Sequence, residues 1–253
     1  MIETRNISKR FGSNEVLIDI STSFHRGKTN LIIGASGSGK TVLMKCLVGL
    51  LPSDSGEVFY DGRPFSAFSM GEVMVIRREI GMLFQGGALF DSMTVEENVM
   101  FPLTMFTDMS LPQKRERANF CLNRVNLVNV NQLLPSELSG GMKKRVAIAR
   151  AIAMNPRYLF CDEPNSGLDP QTANVIDRLI SDITAEFEIT TVVNTHDMNS
   201  VLEIGESVIF LHQSKLWWTG DKHQILNSDN EELNRFVFST TLTQKLQELK
   251  KTK

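Results

Sequence analysis

The chain lacks long hydrophobic runs and carries little net charge. None of its apolar stretches approaches the ~20 residues that a membrane-spanning helix needs, so we expect any work inside a bilayer to require a separate chain. The 253 residues carry a net charge of −2, which gives no basic surface of the kind that binds nucleic acid or anionic lipid. The first residues do not resemble a signal peptide, and the sequence shows no internal repeat or low-complexity segment.

Cysteine is also scarce. The three cysteines, Cys46, Cys121 and Cys161, are widely spaced and lie mostly inside apolar segments. This spacing fits neither a disulfide framework nor a zinc site, and it predicts buried thiols. With 42% hydrophobic residues, the chain can bury a sizeable core and is near the upper size of a single domain.

The most informative motif is a glycine-rich segment between a predicted strand (residues 30–33) and a predicted helix (residues 41–48). It fits the phosphate-binding pattern G-x-x-x-x-G-K-[ST], and its residues are Gly34, Ala35, Ser36, Gly37, Ser38, Gly39, Lys40 and Thr41. Glycines let successive backbone N–H groups point at phosphate oxygens, and the helix start adds partial positive charge. In such a loop Lys40 reaches the β- and γ-phosphates of a nucleotide, and the Thr41 hydroxyl binds Mg²⁺.

A pair of carboxylates follows an apolar run at residues 157–161. The run predicts a buried strand, and a carboxylate at the carboxyl end of a strand lies where open α/β sheets bind ligands. Asp162 is the candidate magnesium ligand, as in P-loop ATPases, where an aspartate in this position holds the metal. Glu163 is the candidate general base for an attacking water.

A second glycine-rich helix start lies at residues 138–142. Ser139 is predicted to cap the helix that follows it. Its hydroxyl and the N–H groups of Gly140 and Gly141 suit a γ-phosphate for the same reasons as the first loop. A third apolar run, residues 191–193, precedes His196, which taken alone is more typical of a satisfied histidine at a strand end.

The order and spacing of these segments resemble the nucleotide-binding subunit of an ATP-binding-cassette (ABC) transporter over about residues 1–220. Beside the phosphate loop and the two carboxylates, the motifs that carry the resemblance are an adenine-stacking aromatic at Phe11, a Q-loop glutamine at Gln85, the signature at residues 138–142, a D-loop at residues 166–169 and a switch histidine at His196. Tyrosine is commoner in the family at the position of Phe11.

The resemblance implies an α/β fold of the P-loop NTPase, ABC ATPase type, which has a mixed parallel sheet, an N-terminal antiparallel β region and a helical insertion. It implies an ATPase that uses Mg²⁺, with Gln85 near the metal and the attacking water, and with His196 bonded to the γ-phosphate. It also places Asp169 of the D-loop among the nucleotide-binding residues. Two copies would pack head to tail with ATP between the Lys40 loop of one and Ser139 of the other, so that ATP closes the homodimer and hydrolysis opens it.

Two short stretches, the signature with Met142 and residues 84–91, resemble the Mla-type branch of the family, whose members move phospholipid across the envelope of Gram-negative bacteria. The resemblance implies an integral membrane permease as partner, a possible periplasmic lipid-binding subunit, and a peripheral location on the cytoplasmic face of the inner membrane. Most family members carry Gln at the position of Met142. Because the first three signature positions make the phosphate contact, we expect hydrolysis to survive this departure.

The pattern of elements predicts one ATPase domain at residues 1–220 and a C-terminal helical extension at residues 221–253. Short alternating runs such as residues 57–60 predict antiparallel hairpins beside the main sheet. Residues from about 86 to 150 are predicted to be a helical insertion, after which strands and helices alternate again.

Two further features are candidate contact surfaces. Seven of the twelve methionines lie between Met70 and Met109, which suits either a surface that receives a partner's helix or an irregular core. In the C-terminal extension, two apolar faces are predicted to dock on the main domain or on a second copy. Their residues are Leu233, Phe236 and Val237 for the first face and Leu242, Leu246 and Leu249 for the second.

Two alternatives to lipid transport stay open. One is the ATPase subunit of an importer or exporter for another cargo, since the membrane chains choose the cargo. The other is a soluble ABC protein that acts on ribosomes or in DNA repair, although such proteins usually carry two cassettes or a long coiled-coil insertion. A P-loop kinase or GTPase is disfavoured by the signature and the D-loop.

Overall fold

The structure is a computed structural model that describes residues 1–239. The second predicted apolar face of the C-terminal extension, with Leu242, Leu246 and Leu249, lies outside the described residues.

Residues 1–239 form ten β-strands and eight α-helices. The strands are β1 (Ile2–Phe11), β2 (Asn14–Phe24), β3 (Thr29–Ile33), β4 (Ser55–Tyr60), β5 (Arg63–Pro64), β6 (Ile80–Leu83), β7 (Tyr158–Asp162), β8 (Thr190–Thr195), β9 (Ser207–His212) and β10 (Lys215–Gly220). The helices are α1 (Lys40–Leu47), α2 (Met70–Arg78), α3 (Val95–Phe106), α4 (Leu111–Arg124), α5 (Gly140–Ala151), α6 (Pro170–Glu186), α7 (Met198–Ile204) and α8 (Glu231–Val237).

Six strands form the central sheet in the order β10-β9-β3-β8-β7-β6. All neighbours from β9 to β6 are parallel, and β10 adds an antiparallel edge. The carboxyl ends of the parallel strands therefore meet at one edge, where such sheets bind ligands. The predicted mixed parallel α/β sheet is confirmed.

A separate four-stranded antiparallel sheet has the order β2-β1-β4-β5. Strand β4 pairs with β1, and its last residues turn back into β5. The antiparallel region that residues 57–60 predict near the N-terminus is therefore confirmed.

The central sheet is buried on both faces because its side chains alternate between two hydrophobic cores. Along β3, Leu31 and Ile33 enter the core shared with the helices α3 to α6, whereas Ile32 enters the core beneath the antiparallel sheet and α1. A strand buried on both sides needs a continuous apolar run, which is the pattern that predicts it. Each fully buried Leu or Ile contributes roughly 1.5–3 kcal/mol relative to an exposed one.

Three helices, α3, α4 and α5, lie within the predicted insertion at residues 86–150. Helix α3 begins with a capping box between Thr94 and Glu97. Arg117 of α4 donates to the backbone oxygens of Ala153 and Ile152, each at 2.9 Å, and so joins α4 to the end of α5. The assignment of this region as a separate insertion stays a prediction.

The described part of the C-terminal extension docks on the main domain. Leu233 and Val237 of α8 are buried in the core shared with the helices α3 to α6, which is the larger of the two cores. The Phe236 ring lies 5.4 Å from that of Phe210 on β9. This is one of the two docking sites expected for the first apolar face. Among residues 1–239, no helix is both long enough and apolar enough to cross a bilayer.

The close packing of α5 on the sheet depends on a missing side chain at Gly81 in β6. A Cβ atom there would collide with the backbone oxygen of Ala151 at the end of α5 and would lie 3.2 Å from Pro156 Cγ. We expect Gly81→Ala to lower the free energy of unfolding by about 1–3 kcal/mol, because backbone has to shift. Thermal unfolding followed by circular dichroism checks this.

Gly71→Ala is the matched control for that measurement. Gly71 lies in α2, and a Cβ atom added there meets nothing within 4 Å. Gly71 is the second residue of α2, where the preference for alanine over glycine is smaller than the roughly 0.5–1 kcal/mol of a helix interior, so this variant should melt at or slightly above the wild-type temperature. A Gly81→Ala protein that melts at or above the wild-type temperature would contradict the packing argument.

Candidate active site

The phosphate loop connects β3 to α1 and rests against the antiparallel sheet. Gly39 has φ +101°, and a Cβ atom there would lie 2.6 Å from the backbone oxygen of Val16 in β2. Only glycine combines this left-handed backbone with such a close approach. The antiparallel sheet therefore fixes the position of the loop from which α1 starts.

Lys40 is the buried cation of the loop. The residue is 6% exposed, and its Nζ donates to the backbone oxygens of Gly34 at 2.8 Å and Ala35 at 3.1 Å. Burial lowers the pKa of Lys40 below its ordinary value, while the charges of Glu163 and Asp162 oppose that shift. The ammonium group thus lies in the field of the predicted base, Glu163, and the predicted metal ligand, Asp162.

The loop offers unused hydrogen-bonding capacity. The Ser38 hydroxyl is buried and has no partner among the described residues. A buried hydroxyl without a partner costs free energy unless a ligand or water satisfies it. Together with the Lys40 ammonium and the start of α1, this hydroxyl fits a phosphate group.

The structure brings Thr41 and Asp162 together, as the sequence predicts. Thr41 Oγ1 donates to Asp162 Oδ1 at 3.3 Å, and Asn194 Nδ2 donates to the same oxygen at 3.1 Å. Hydroxyl and carboxylate oxygens are the ligands that Mg²⁺ prefers, so this donor set fits the metal. Asn194 lies near the end of β8, is fully buried and was not predicted; its only signal is an amide directly after two valines in a strand that also contains threonines.

Glu163 and His196 form a pair at the carboxyl ends of β7 and β8. The distance between His196 Nδ1 and Glu163 Oε1 is 2.9 Å. Glu163 has φ +47°, a left-handed backbone that non-glycine residues rarely adopt, and its N–H donates to the Asn194 carbonyl at 3.0 Å. The loop geometry therefore turns the predicted base towards the predicted switch histidine.

Gln85 follows β6 and lies beside the segment after Glu163. Its Nε2 is 3.5 Å from Ser166 Oγ, which is a long hydrogen bond. The Gln85 backbone oxygen accepts a hydrogen bond from Nζ of Lys144, a buried residue of α5. Burial lowers the pKa of Lys144, and the nearby Cys161, Glu163 and Asp162 oppose that shift. Lys144 also escaped prediction, because its role depends on a contact between distant segments.

Ser139 caps α5, as predicted, and its Oγ accepts a hydrogen bond from the Met142 N–H at 3.3 Å. Ser139 and Gly140 are exposed, so the start of α5 is open to another molecule. A Cβ atom at Gly141 would lie 2.5 Å from Thr172 Cγ2, which shows how closely the signature packs on the start of α6. Met142 packs against the larger core.

Asp169 is the N-cap of α6. Its Oδ1 accepts from the N–H groups of Gln171 at 3.1 Å and Thr172 at 3.0 Å, and its Oδ2 accepts from Thr172 Oγ1 at 2.5 Å. The hydrogen bond from the Thr172 side chain lowers the pKa of Asp169. Its expected contribution to nucleotide binding stays a prediction.

Phe11 lies at the end of β1, opposite Asn14 in the hairpin to β2. Its ring is half exposed, and Lys9 Nζ lies 5.7 Å from the ring centroid. An exposed aromatic face suits stacking on a base, and this role also stays a prediction.

Known proteins with similar sequences agree with the interpretation of this site as one that binds a nucleotide. Residues 17–166 match the family described as "ABC transporter". The chain is 35% identical over 237 residues to the intermembrane phospholipid transport system ATP-binding protein MlaF of Escherichia coli K12, covering 94% of this chain and 88% of MlaF. It is also 35% identical over 236 residues to the probable ribonucleotide transport ATP-binding protein mkl of Mycobacterium leprae, covering 93% of this chain but only 68% of mkl.

Two solved structures are similar throughout. The dimeric post-hydrolysis state of the ATP-binding cassette MJ0796, bound to ADP and Pi, has a TM-score of 0.79 and 33% identity, covering 88% of this chain and 99% of that one. The structure of cbiO1 from Clostridium perfringens, part of the ABC transporter complex cbiONQ, has a TM-score of 0.84 and 26% identity, covering 99% and 98%.

Replacing Lys40 and Ser139 separately tests the two predicted phosphate contacts. We expect Lys40→Ala to weaken ATP binding by about 10- to 100-fold, because a charge-assisted hydrogen bond is lost. Ser139→Arg should leave ATP binding by one copy intact but abolish hydrolysis, since a bulky cation blocks the start of α5. Titration with a fluorescent ATP analogue and phosphate release measure the two effects.

Matched controls come from the same segments. Lys45→Ala changes an exposed lysine of α1, and Ser136→Arg changes an exposed serine just before the signature. Both controls should bind and hydrolyse ATP as the wild type does. Wild-type hydrolysis by the Lys40→Ala or the Ser139→Arg protein would remove that residue from the site.

Proposed function

This chain belongs to the ABC transporter family, and we propose that it is the ATPase subunit that drives a membrane transporter of phospholipid or a similarly hydrophobic substrate. The observation that carries the proposal is the convergence of three features at one edge of the parallel sheet. These are the Lys40 loop, the Thr41–Asp162 contact and the Glu163–His196 pair. Each answers one need of phosphoryl transfer to water: phosphate binding, metal binding and activation of the nucleophile.

The triphosphate binds at the loop and at the start of α1. The Lys40 ammonium and the Ser38 hydroxyl are the side-chain donors, and the backbone N–H groups of the loop supply the rest. Mg²⁺, when bound by Thr41 and Asp162 with Gln85 nearby, neutralises charge on the phosphate oxygens. Phe11 stacks on the adenine ring.

Glu163 acts as the general base. Its carboxylate takes a proton from the attacking water as the water oxygen bonds to the γ-phosphorus and the bond to the leaving ADP oxygen breaks. The 2.9 Å contact with His196 Nδ1 orients the Glu163 carboxylate before the reaction. His196 then also hydrogen-bonds the γ-phosphate.

The active unit is a head-to-tail homodimer with ATP at the interface. Ser139 and Gly140 are exposed at a helix start, which is an anion-binding feature that faces outward in one copy. The D-loop lies directly beside this helix start, since a Cβ atom added at Gly140 would lie 3.5 Å from Leu168 Cδ2. The likeness to a dimeric cassette that holds ADP and Pi supports the arrangement.

The lipid cargo is supported by the likeness to MlaF, whose name assigns it to phospholipid transport between membranes. An equal identity to mkl, named for ribonucleotide transport, favours another cargo as the second candidate. Co-purification of the membrane subunit and identification of the lipid that it carries decide between them. A periplasmic lipid-binding subunit belongs only to the first candidate.

The membrane subunit docks in an apolar groove beside the segment after β6. The groove has a volume of about 400 Å³, and its mainly apolar lining includes the aromatic rings of Phe84, Phe90, Phe101 and Phe106. Of the methionines between Met70 and Met109, Met82 lines it, whereas Met105 is exposed nearby on α3. A groove of this kind suits an amphipathic helix of the membrane subunit. Docking there would make the chain a peripheral subunit, and we propose that it lies on the cytoplasmic face of the inner membrane.

The role of the base is tested with Glu163→Gln, which keeps the shape of the side chain and removes its basicity. We expect hydrolysis to fall by at least ~10²-fold because proton transfer is lost. ATP binding should persist, and an ATP-bound dimer should accumulate on size-exclusion chromatography. Glu116→Gln, at an exposed position of α4, is the control, and retained turnover in Glu163→Gln would exclude Glu163 as the base.

The groove is tested with Phe106→Glu, which places a charge on its apolar wall. We expect the variant to lose co-purification with the membrane subunit, because the charge would have to be desolvated on docking, and to retain ATP binding. Val128→Glu, a change at another exposed apolar residue that does not line the groove, should co-purify normally. If the Phe106→Glu protein still co-purifies, the subunit docks elsewhere.

A further inference from the structure

A buried polar network lies behind the Glu163–His196 pair. Asn165 Nδ2 donates to Asp177 Oδ1 at 2.8 Å and to Ser200 Oγ at 3.0 Å. Asp177 and Ser200 are each 1% exposed. The network therefore joins two buried side chains on separate helices to Asn165, a partly buried residue of the loop after β7.

The three segments are those that determine the position of the pair. Asn165 lies two residues after Glu163, in the loop that leaves β7. Ser200 lies four residues after His196, on α7. Asp177 lies on α6, whose first turn touches the signature at Gly141. The Asp177 carboxylate thus binds the Asn165 amide, and that amide joins the loop of the base to the helix that follows the histidine.

Keeping this carboxylate buried has a cost. Burial raises the pKa of Asp177 to about 6, against hydrogen bonds from Ser200 and Asn165 that lower it, and the charges of Asp197 and Glu203 raise it further. The nearby Arg178 is paired with Glu203 at 2.8 Å. Among the described residues, Asp177 Oδ2 and Asn165 Oδ1 have no hydrogen-bond partner.

Such an arrangement is poorly suited to stability alone. A buried carboxylate with an unsatisfied oxygen destabilises the folded state relative to an apolar side chain of similar shape. Unsatisfied buried polar groups and shifted pKa values are concentrated at functional sites, where geometry matters more than stability.

We propose that Asp177 is a positioning residue for ATP hydrolysis. It acts through Asn165 and Ser200 to fix the Glu163 loop relative to α7, the helix that follows His196. The proposal rests on the proposed ATPase function of the Glu163–His196 site. Asp177 touches neither substrate nor metal. Its effect is to keep the 2.9 Å contact between His196 Nδ1 and Glu163 Oε1, and with it the orientation of the base.

The test compares three full-length variants. Asp177→Leu keeps the branched shape and removes the acceptor. Asp177→Asn keeps an acceptor oxygen for Asn165 and removes the charge. Asp182→Leu is the control, because it changes an exposed aspartate of the same helix. For each protein, kcat and KM for ATP, affinity for a fluorescent ATP analogue, and the melting temperature without nucleotide are measured at pH 7.5.

We expect Asp177→Leu to lower kcat by about 10-fold, since a shift of less than 1 Å costs less than the ~10²-fold loss that a 1 Å misplacement can cause. KM and the affinity for ATP should stay near the wild-type values. The melting temperature should stay near the wild-type value or rise. Asp177→Asn should restore most of kcat, and Asp182→Leu should change nothing. A purely structural contact would instead lower the melting temperature and leave the kcat of the folded protein unchanged.

The outcomes distinguish a failure of the positioning role from a failure of the proposed ATPase function. Wild-type kcat in Asp177→Leu, or a kcat loss matched by an equal loss of ATP affinity and not rescued by Asp177→Asn, would overturn the positioning role while leaving the ATPase intact. A wild-type protein that does not hydrolyse ATP, alone or with its membrane subunit, would instead overturn the proposed function and this inference with it.

Discussion

The candidate site depends on the parallel register of β3, β8 and β7. Ile33 pairs with Thr195, and Asp162 pairs with Asn194, so the carboxyl ends of the three strands stop at the same level. This register brings the Lys40 loop, the carboxylates and His196 to one edge from positions that are far apart in sequence. A slip of one residue in any strand would turn its side chains to the opposite core and separate the site.

The same strand register places the charge of Lys40 near those of Asp162 and Glu163. Burial makes the Lys40 charge costly, and the nearby carboxylates Asp162 and Glu163 offset part of that cost. Asp162 in turn receives hydrogen bonds from Thr41 and Asn194. The Asp162 carboxylate is thus held in place by neutral donors on α1 and on the adjacent strand β8, which makes the edge ready for a highly charged phosphate ligand without a large rearrangement.

Sequence could predict the features that local chemistry encodes. The phosphate loop, the strand that ends at Asp162 and the Ser139 cap each depend on a few consecutive residues, and the structure contains all three. Asn194 and Lys144 could not be predicted, because their roles arise from strand pairing and from the packing of α5 against the Gln85 segment. The methionines between Met70 and Met109 were compatible with either a partner surface or an irregular core, and only Met82 of them lines the groove. The aromatic rings of the groove could not be predicted, because periodicity does not show which side chains of α3 meet those after β6.

The contacts around the D-loop connect the two nucleotide sites of the proposed dimer. The signature touches the start of α6 through Gly141 and Thr172, and α6 holds Asn165 through Asp177. Asn165 lies in the same short loop as Glu163. In the proposed dimer, the ATP held by the second copy would place a phosphate at Ser139 of this copy. That contact would act on α6, the helix that positions this copy's own Glu163. If the two copies pair as proposed, packed helices that shift as rigid units would couple hydrolysis at one site to occupancy of the other.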